Sequence, residues 1–436
     1  MKKQVVISGL MLFSLFFGAG NLIFPPMLGH MAGDKMWIGM LGFALTGILL
    51  PYLTVIVVAF YDEGVESVGN RIHPIFGLIF AIVIYMSIGA FYGIPRAANV
   101  AYEIGTRNIL PVHNQITLVV FALIFFAIVY WIALNPSKIV DNLGKILTPL
   151  LLFDVSLLCI SVIFKPEAAP SDAHDKYASN PFVAGGLEGY FTMDLVAALA
   201  FSVVIVNGFK VAGITERRSI LKNVVLSGLI SSLLLVIIYF ALAYVGASTG
   251  SGDFKDGTDL LTYNSLRVFG RFGDVIFATT VILACLTTCI GLVNACSAFA
   301  KKYIPNMSYK LFVLVFSIVG FLFTTLGLDM ILKIAVPLLT FIYPVSIVLV
   351  LVSFVNMWFK ERFRWTYTLA MIPTLLISIL QILNSFKLLS GGLKSFFEML
   401  PFAKLDLAWT IPFLVCAIIG FIIDKLLENK HKKATN

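Results

Sequence analysis

The chemistry this sequence offers rests on a pair of hydroxyls and a run of helix-breaking residues. Thr287 and Thr288 stand side by side in "ILACLTTCIGLVNACSA", one helical turn after Ala284. Two hydroxyls and a backbone carbonyl make part of an all-oxygen shell for a hard cation. A threonine in an apolar helix also commonly bonds back to a carbonyl one turn earlier, so either hydroxyl alone says little. The second feature is "SLFFGAGNLIFPPMLG", residues 14–29. Gly18 and Gly20 weaken a helix, Asn21 adds a polar side chain, and Pro25 and Pro26 each remove a backbone donor. Unwound backbone at membrane depth must line a cavity or be buried in protein, because lipid pairs no N–H or C=O. A half-helix resuming near Leu22 would point its N-terminal N–H groups at an anion, and one ending near Phe17 would leave carbonyls for a cation.

Titratable groups are sparse. Asp154, Glu188 and Asp194 are the carboxylates inside or beside apolar runs, and intramembrane carboxylates are suspects for proton coupling. Glu188 and Asp194 can equally lie near an outer mouth, and Asp154 can be paired structurally. Arg96 and Glu103 in "PRAANVAYE" are spaced to pair on one helical face, or to sit solvated at the interface. The five histidines fall at segment ends or in loops and make no ligand pattern, and the five cysteines lie inside apolar runs, as small buried hydrophobes do. Neither a His/Asp/Glu cluster nor an activated nucleophile is present to support an intramembrane enzyme. A channel would want repeated pore motifs or rings of charge, which are also absent.

The elements that must hold these residues are membrane helices. Of 436 residues, 59% are hydrophobic and 12% charged, with mean hydropathy +0.97, half the charge of a soluble domain. Apolar runs between polar breaks number about twelve, each near the roughly 20 residues a crossing needs. The first run, beginning "MKKQVVISGL", reads as a transmembrane helix rather than a signal peptide, because the apolar pattern resumes after Asn21. The net charge of +8 has no soluble basic face to bind nucleic acid. Lys and Arg gather instead in the loops on the side of the N-terminus, which predicts both termini in the cytoplasm. If the fold repeats after five helices, a second break is expected in the sixth run. Its weakest stretch is "AALAFSVV", residues 197–204, where small residues and Ser202 could line a cavity.

With "FSLFFGAGNLIFPPMLG" the chain resembles the bacterial branched-chain amino acid carriers, the leucine, isoleucine and valine cation symporter family. "IPRAANVAYEIG", "LEGYFTMDLVAALAF", "LACLTTCIGL" and "FIYPVSIVLVL" extend the resemblance over essentially the whole chain. It implies an all-α membrane protein with a LeuT-type core: two inverted five-helix repeats, at about 5–164 and 188–359, and two accessory helices at about 366–427. Helices 1 and 6 would be broken. The resemblance further implies that Ala19 and Gly20 hold a substrate carboxylate, with Asn21 beside them. Ser14, Phe17, Ala284, Thr287 and Thr288 would surround a sodium ion, the coupling ion. The stretch with Ala197, Ala198, Ala200 and Ser202 would receive the amino group through exposed carbonyls, with Phe201 as a wall or gate and Tyr85 closing the site. The implied activity is import of leucine, isoleucine and valine across the bacterial cell membrane without a covalent step. Proton coupling, or another small neutral amino acid, is the alternative. The implied partners are the substrate and the lipid bilayer, with no organic cofactor and no obligatory protein partner.

Overall fold

The computed structural model describes residues 2–61, 64–107, 112–250, 252–359 and 363–435, and every regular element among them is helical. Ten of these helices are long and apolar enough to cross a membrane. One is the 42-residue run Gly20–Tyr61, which as a single straight helix would be about 63 Å long, twice the ~30 Å hydrocarbon core. The chain turns within it at Gly33, whose φ is 48°, through the 3-10 turn Gly33–Lys35. The run therefore holds the second half of the first crossing and all of the second. With the shorter apolar helix Tyr309–Thr324, the crossings come to the twelve expected.

The chain divides into two compact units, Met1–Ile56 with Ile88–Ile331, and Val57–Ser87 with Leu332–Asn436. In the first unit the helices that matter are α1 (Lys2–Phe16), α2 (Ala19–Ala32), α3 (Met36–Ala44), α4 (Gly93–Glu103) and α5 (Thr148–Phe164). They are followed by α6 (Pro181–Phe191), α7 (Asp194–Val211), α8 (Arg217–Ala247), α9 (Gly257–Phe269) and α10 (Arg271–Tyr303). Helices α1 and α2 are the two halves of one crossing, interrupted at Phe17–Gly18. Gly18 caps α2 in an extended conformation, and the Gly18 N–H turns back to the Phe16 carbonyl at 2.8 Å instead of to Ser14. The second half begins at Ala19, three residues before the Leu22 expected. Pro25 and Pro26 lie inside α2 and deny their i−4 partners, the Asn21 and Leu22 carbonyls, a backbone donor.

The sixth crossing is also broken, but the position differs from the sequence expectation. Residues 197–204 belong to the uninterrupted α7, so the carbonyls of Ala197, Ala198 and Ala200 are spent in the helical ladder. The interruption falls at Thr192–Met193, where Met193 takes a left-handed conformation with φ 59°. That conformation costs a non-glycine residue roughly 1–2 kcal/mol. Thr192 Oγ1 donates to the Gly189 carbonyl at 2.8 Å and closes the end of α6.

Close backbone approach fixes these halves in place. A Cβ on Gly185 of α6 would stand 1.8 Å from the Gly39 carbonyl oxygen of α3, whereas one on the adjacent Gly186 would meet nothing nearer than 3.6 Å. Gly185→Ala is therefore expected to push α3 and α6 apart and lower the melting temperature by about 5 °C or more. Gly186→Ala should leave it within about a degree. Equal melting temperatures for the two variants, measured in detergent, would contradict this packing. In the second unit, Arg71 donates to Asn356 Oδ1 at 2.6 Å and lies over the Tyr61 ring. Asp424 caps the helix Trp365–Ser385 by accepting from the Trp365 and Thr366 N–H groups at 3.0 and 2.9 Å.

Candidate functional site

At the end of α1 the broken ladder frees carbonyls, and α10 meets them with hydroxyls. Thr287 Oγ1 is 2.8 Å from the Ser14 carbonyl oxygen and 3.0 Å from that of Ala284. Thr288 Oγ1 donates to the Leu15 carbonyl at 3.1 Å and lies 3.1 Å from where a Cβ on Gly18 would be. Thr287, Ala284 and Ser14 are fully buried. A hard cation takes oxygen ligands at roughly 2.4 Å, which puts adjacent oxygens about 3 Å apart. The spacing of these oxygens fits such a shell, once the hydroxyl protons turn away from the carbonyls. Four of the five expected residues, Ser14, Ala284, Thr287 and Thr288, thus come together, and Leu15 joins them through a carbonyl the sequence had not marked. Phe17 stands at the break itself, its ring fully buried and stacked on Phe13 and Tyr239. The Asn21 N–H goes to the Gly18 carbonyl at 3.2 Å, one residue short of Phe17.

On the other side of the break, Ala19 and Gly20 are the first two residues of α2, where helix N–H groups have no intrahelical acceptor. Asn21 follows, 2% exposed. Its Nδ2 lies 2.5 Å from the Phe16 carbonyl and 3.1 Å from Asp194 Oδ2, and also reaches the Tyr239 hydroxyl on α8. One amide thus connects the broken end of α1 to the first residue of α7, the restart of the other broken crossing. Asp194 suits that place, because a carboxylate at a helix N-terminus faces the positive end of the dipole. The Thr192 side chain lies beside its carboxyl. Arg96 of α4 completes the group. One guanidinium nitrogen lies 3.8 Å from where a Cβ on Gly20 would be, while another donates to the Tyr92 hydroxyl above whose ring it sits.

The remaining expectations fare differently. Arg96 engages Tyr92 rather than Glu103, and Glu103 is exposed. Phe201 and Ser202 are fully buried in α7, Phe201 edge-on to Phe16 and Ser202 bonded back to the Ala198 carbonyl. Ala198 and Ala200 are buried beside them, and Ala197 is half-buried. The continuity of α7 withdraws the exposed carbonyls proposed for this stretch; polar groups at the helix 6 break come from Thr192 and Asp194 instead. Tyr85 belongs to the second unit, at the start of the π-helical stretch Tyr85–Phe91. Asp154 is buried on α5 with Thr279 as its hydrogen-bond partner, and Glu188 pairs with Lys176 at 2.6 Å. Among the described residues no three His, Cys, Asp or Glu side chains are placed to hold a metal ion together. Tyr239 was missed in the sequence, although a tyrosine deep in an apolar run needs a partner for its hydroxyl.

The sequence pattern described as "Branched-chain amino acid transport protein" matches residues 1–427. The chain is 39% identical over 425 residues to the branched-chain amino acid permease BraB of Bacillus subtilis, covering 97% of this chain and 95% of that protein. It is also 39% identical to the permease BrnQ of Corynebacterium glutamicum, over 97% of this chain and 96% of that one. Among solved structures, a mutant of the Eremococcus coleocola manganese transporter superposes with a TM-score of 0.61 at 15% identity, over 96% of this chain and 95% of its own. The inward-facing conformation of Mhp1 superposes with a TM-score of 0.52 at 15% identity, over 96% and 91%. At such identity these two establish the fold, which is of the LeuT type, and nothing about cargo.

Proposed function

The chain belongs to the branched-chain amino acid transport protein family, and from that premise we propose that it is a symporter moving leucine, isoleucine and valine together with sodium by alternating access. The observation that carries the choice of ion is the oxygen cluster at the first break: the Ser14 and Ala284 carbonyls within 3.0 Å of the Thr287 hydroxyl, and Thr288 beside them. Discontinuous helices place coupling ions at freed carbonyls and anionic substrate groups at half-helix N-termini. The Ala19 and Gly20 N–H groups supply that second feature, with Asn21 beside them. Sodium bound at Ser14 then favours one arrangement of the same break that receives the substrate, which couples the two ligands through the backbone of residues 16–19.

Apolar neighbours suit an aliphatic side chain. One methylene more or less in such a pocket changes affinity by about 1–3 kcal/mol, so the three branched substrates share the site with modest discrimination. A proton as coupling ion has one observation in its favour, the intramembrane carboxylates Asp154 and Asp194. Sodium is preferred because neutral oxygens gather at the end of α1, the Thr287 hydroxyl at the Ser14 and Ala284 carbonyls and the Thr288 hydroxyl at the Leu15 carbonyl. The test of substrate class is competition in proteoliposomes. Unlabelled isoleucine and valine should suppress labelled leucine uptake within about 200-fold of leucine itself, while lysine and glutamate should not. Suppression by a charged amino acid as strong as that by isoleucine would overturn the assignment.

A further inference from the structure

An acidic and a basic side chain stand beside the breaks, Asp194 where α7 begins and Arg96 next to Gly20 at the start of α2. Neither is required to hold the oxygen cluster at Ser14 and Thr287. Charged groups inside a membrane protein are costly and concentrate where a ligand or a pathway uses them. We propose that these two residues are the poles of the substrate site. Asp194 receives the ammonium group of the amino acid, and Arg96, with the N–H groups of Ala19 and Gly20, receives the carboxylate. The assignment rests on the reading of the chain as an amino acid carrier and names the groups by which that carrier recognises a zwitterion.

The geometry favours a ligand over a purely internal pair. A carboxylate accepts about four hydrogen bonds, and Asp194 takes one from Asn21 at 3.1 Å. Asp194 is half-buried as a residue, at the first position of α7. Arg96 has five N–H donors, and Tyr92 accepts from one nitrogen. Another points to the side of Gly20, a residue with no side chain to block the approach and a backbone N–H that α2 does not use. Tyr239 and Thr192 hold neutral hydroxyls at the edge of the same group. A zwitterion entering here exchanges a loose Asp–Arg attraction for two direct ion pairs and leaves the site neutral. An amine or a carboxylic acid would satisfy one pole and leave the other charge without its counterpart. Sites built to pair a polar group reject analogues that lack it by large factors.

The experiment measures competition against labelled leucine on the purified protein at saturating sodium. The probes are leucine, 4-methyl-2-oxopentanoate, which lacks the ammonium group, and 3-methylbutylamine, which lacks the carboxylate. The wild-type protein should bind leucine at least about 100-fold more tightly than either analogue. Asp194→Asn should bring leucine down to the level of the oxo acid and leave the oxo acid within about threefold of its wild-type affinity. Arg96→Gln should do the mirror image with the amine. Asp194→Glu and Arg96→Lys keep the charges and should retain at least about a tenfold preference for leucine, so they decide the matter if a neutral variant does not fold. Leucine bound by Asp194→Asn as tightly as by wild type overturns the proposal. So does loss of all three ligands by one common factor, or an Asp194→Glu variant that no longer separates leucine from the oxo acid. A wild-type protein that binds none of the three contradicts the carrier reading itself, a result distinct from any of these.

Discussion

Replacing Thr287 with valine is expected to raise the sodium concentration for half-maximal leucine uptake by at least about 10–100-fold, the loss that removing even an outer partner of a metal site brings. Valine keeps the branched shape and one methyl in place of the hydroxyl, so packing around position 287 changes little. What disappears is the oxygen 2.8 Å from the Ser14 carbonyl and 3.0 Å from the Ala284 carbonyl. The site is fully buried there, so no water substitutes without rearrangement. Uptake at saturating sodium should stay within a few-fold of wild type, since the valine leaves the N-terminus of α2 untouched. Thr288→Val should act in the same direction but less strongly, because Thr288 is half-buried and water can reach its place. Sodium dependence unchanged in Thr287→Val would move the ion elsewhere.

Asn21→Ala should reduce leucine transport by about 100-fold while the protein still folds. The amide of Asn21 reaches the Phe16 carbonyl, Asp194 and Tyr239, three groups on three elements. Alanine leaves them without that donor in a place where water is scarce. An unsatisfied buried polar group costs about 1–3 kcal/mol, and a factor of 100 in rate corresponds to about 2.7 kcal/mol. The loss is expected to be divided between a lower melting temperature and a disordered break. Asn21→Asp makes the discriminating partner variant. It is nearly isosteric but sets a second carboxylate against Asp194, so it should transport no better than alanine. Transport within threefold of wild type in Asn21→Ala, measured as initial uptake at equal protein per liposome, would mean that the amide does not organise the site.

The first break was legible because its cause is local. Gly18, Gly20, Pro25 and Pro26 each weaken a helix by a mechanism that needs no neighbours, and the observed interruption at Phe17–Gly18 lies among them. Its end was placed too late, near Leu22, because the residues 19–21 were read as part of the disturbance. In the structure they form the first turn of α2, where unpaired N–H groups are normal. The second break was misplaced because its cause is tertiary. Thr192 and Met193 have no glycine or proline signal, and the left-handed Met193 is held by what α7 meets when it restarts, with Asp194 against Asn21. Small residues at 197–202 instead serve packing: Ser202 bonds within its own helix and Phe201 lies against Phe16. The threonine pair could be placed in advance, since two hydroxyls and a carbonyl one turn apart on one helix share a face whatever surrounds them. Arg96 could not. Helix spacing offered either a pairing with Glu103 or a solvated place at the interface, and only the fold reveals that Gly20 comes close enough to matter.

An inward sodium gradient is expected to drive branched-chain amino acid accumulation through this chain. Proteoliposomes containing the purified protein, loaded with potassium and diluted into sodium, test it most directly. Labelled leucine should accumulate above its external concentration and flow back out when the sodium gradient is collapsed with an ionophore. A proton gradient of the same size, imposed without sodium, should give only equilibration. Accumulation driven by the proton gradient alone, and unaffected by removing sodium, would rule out sodium coupling.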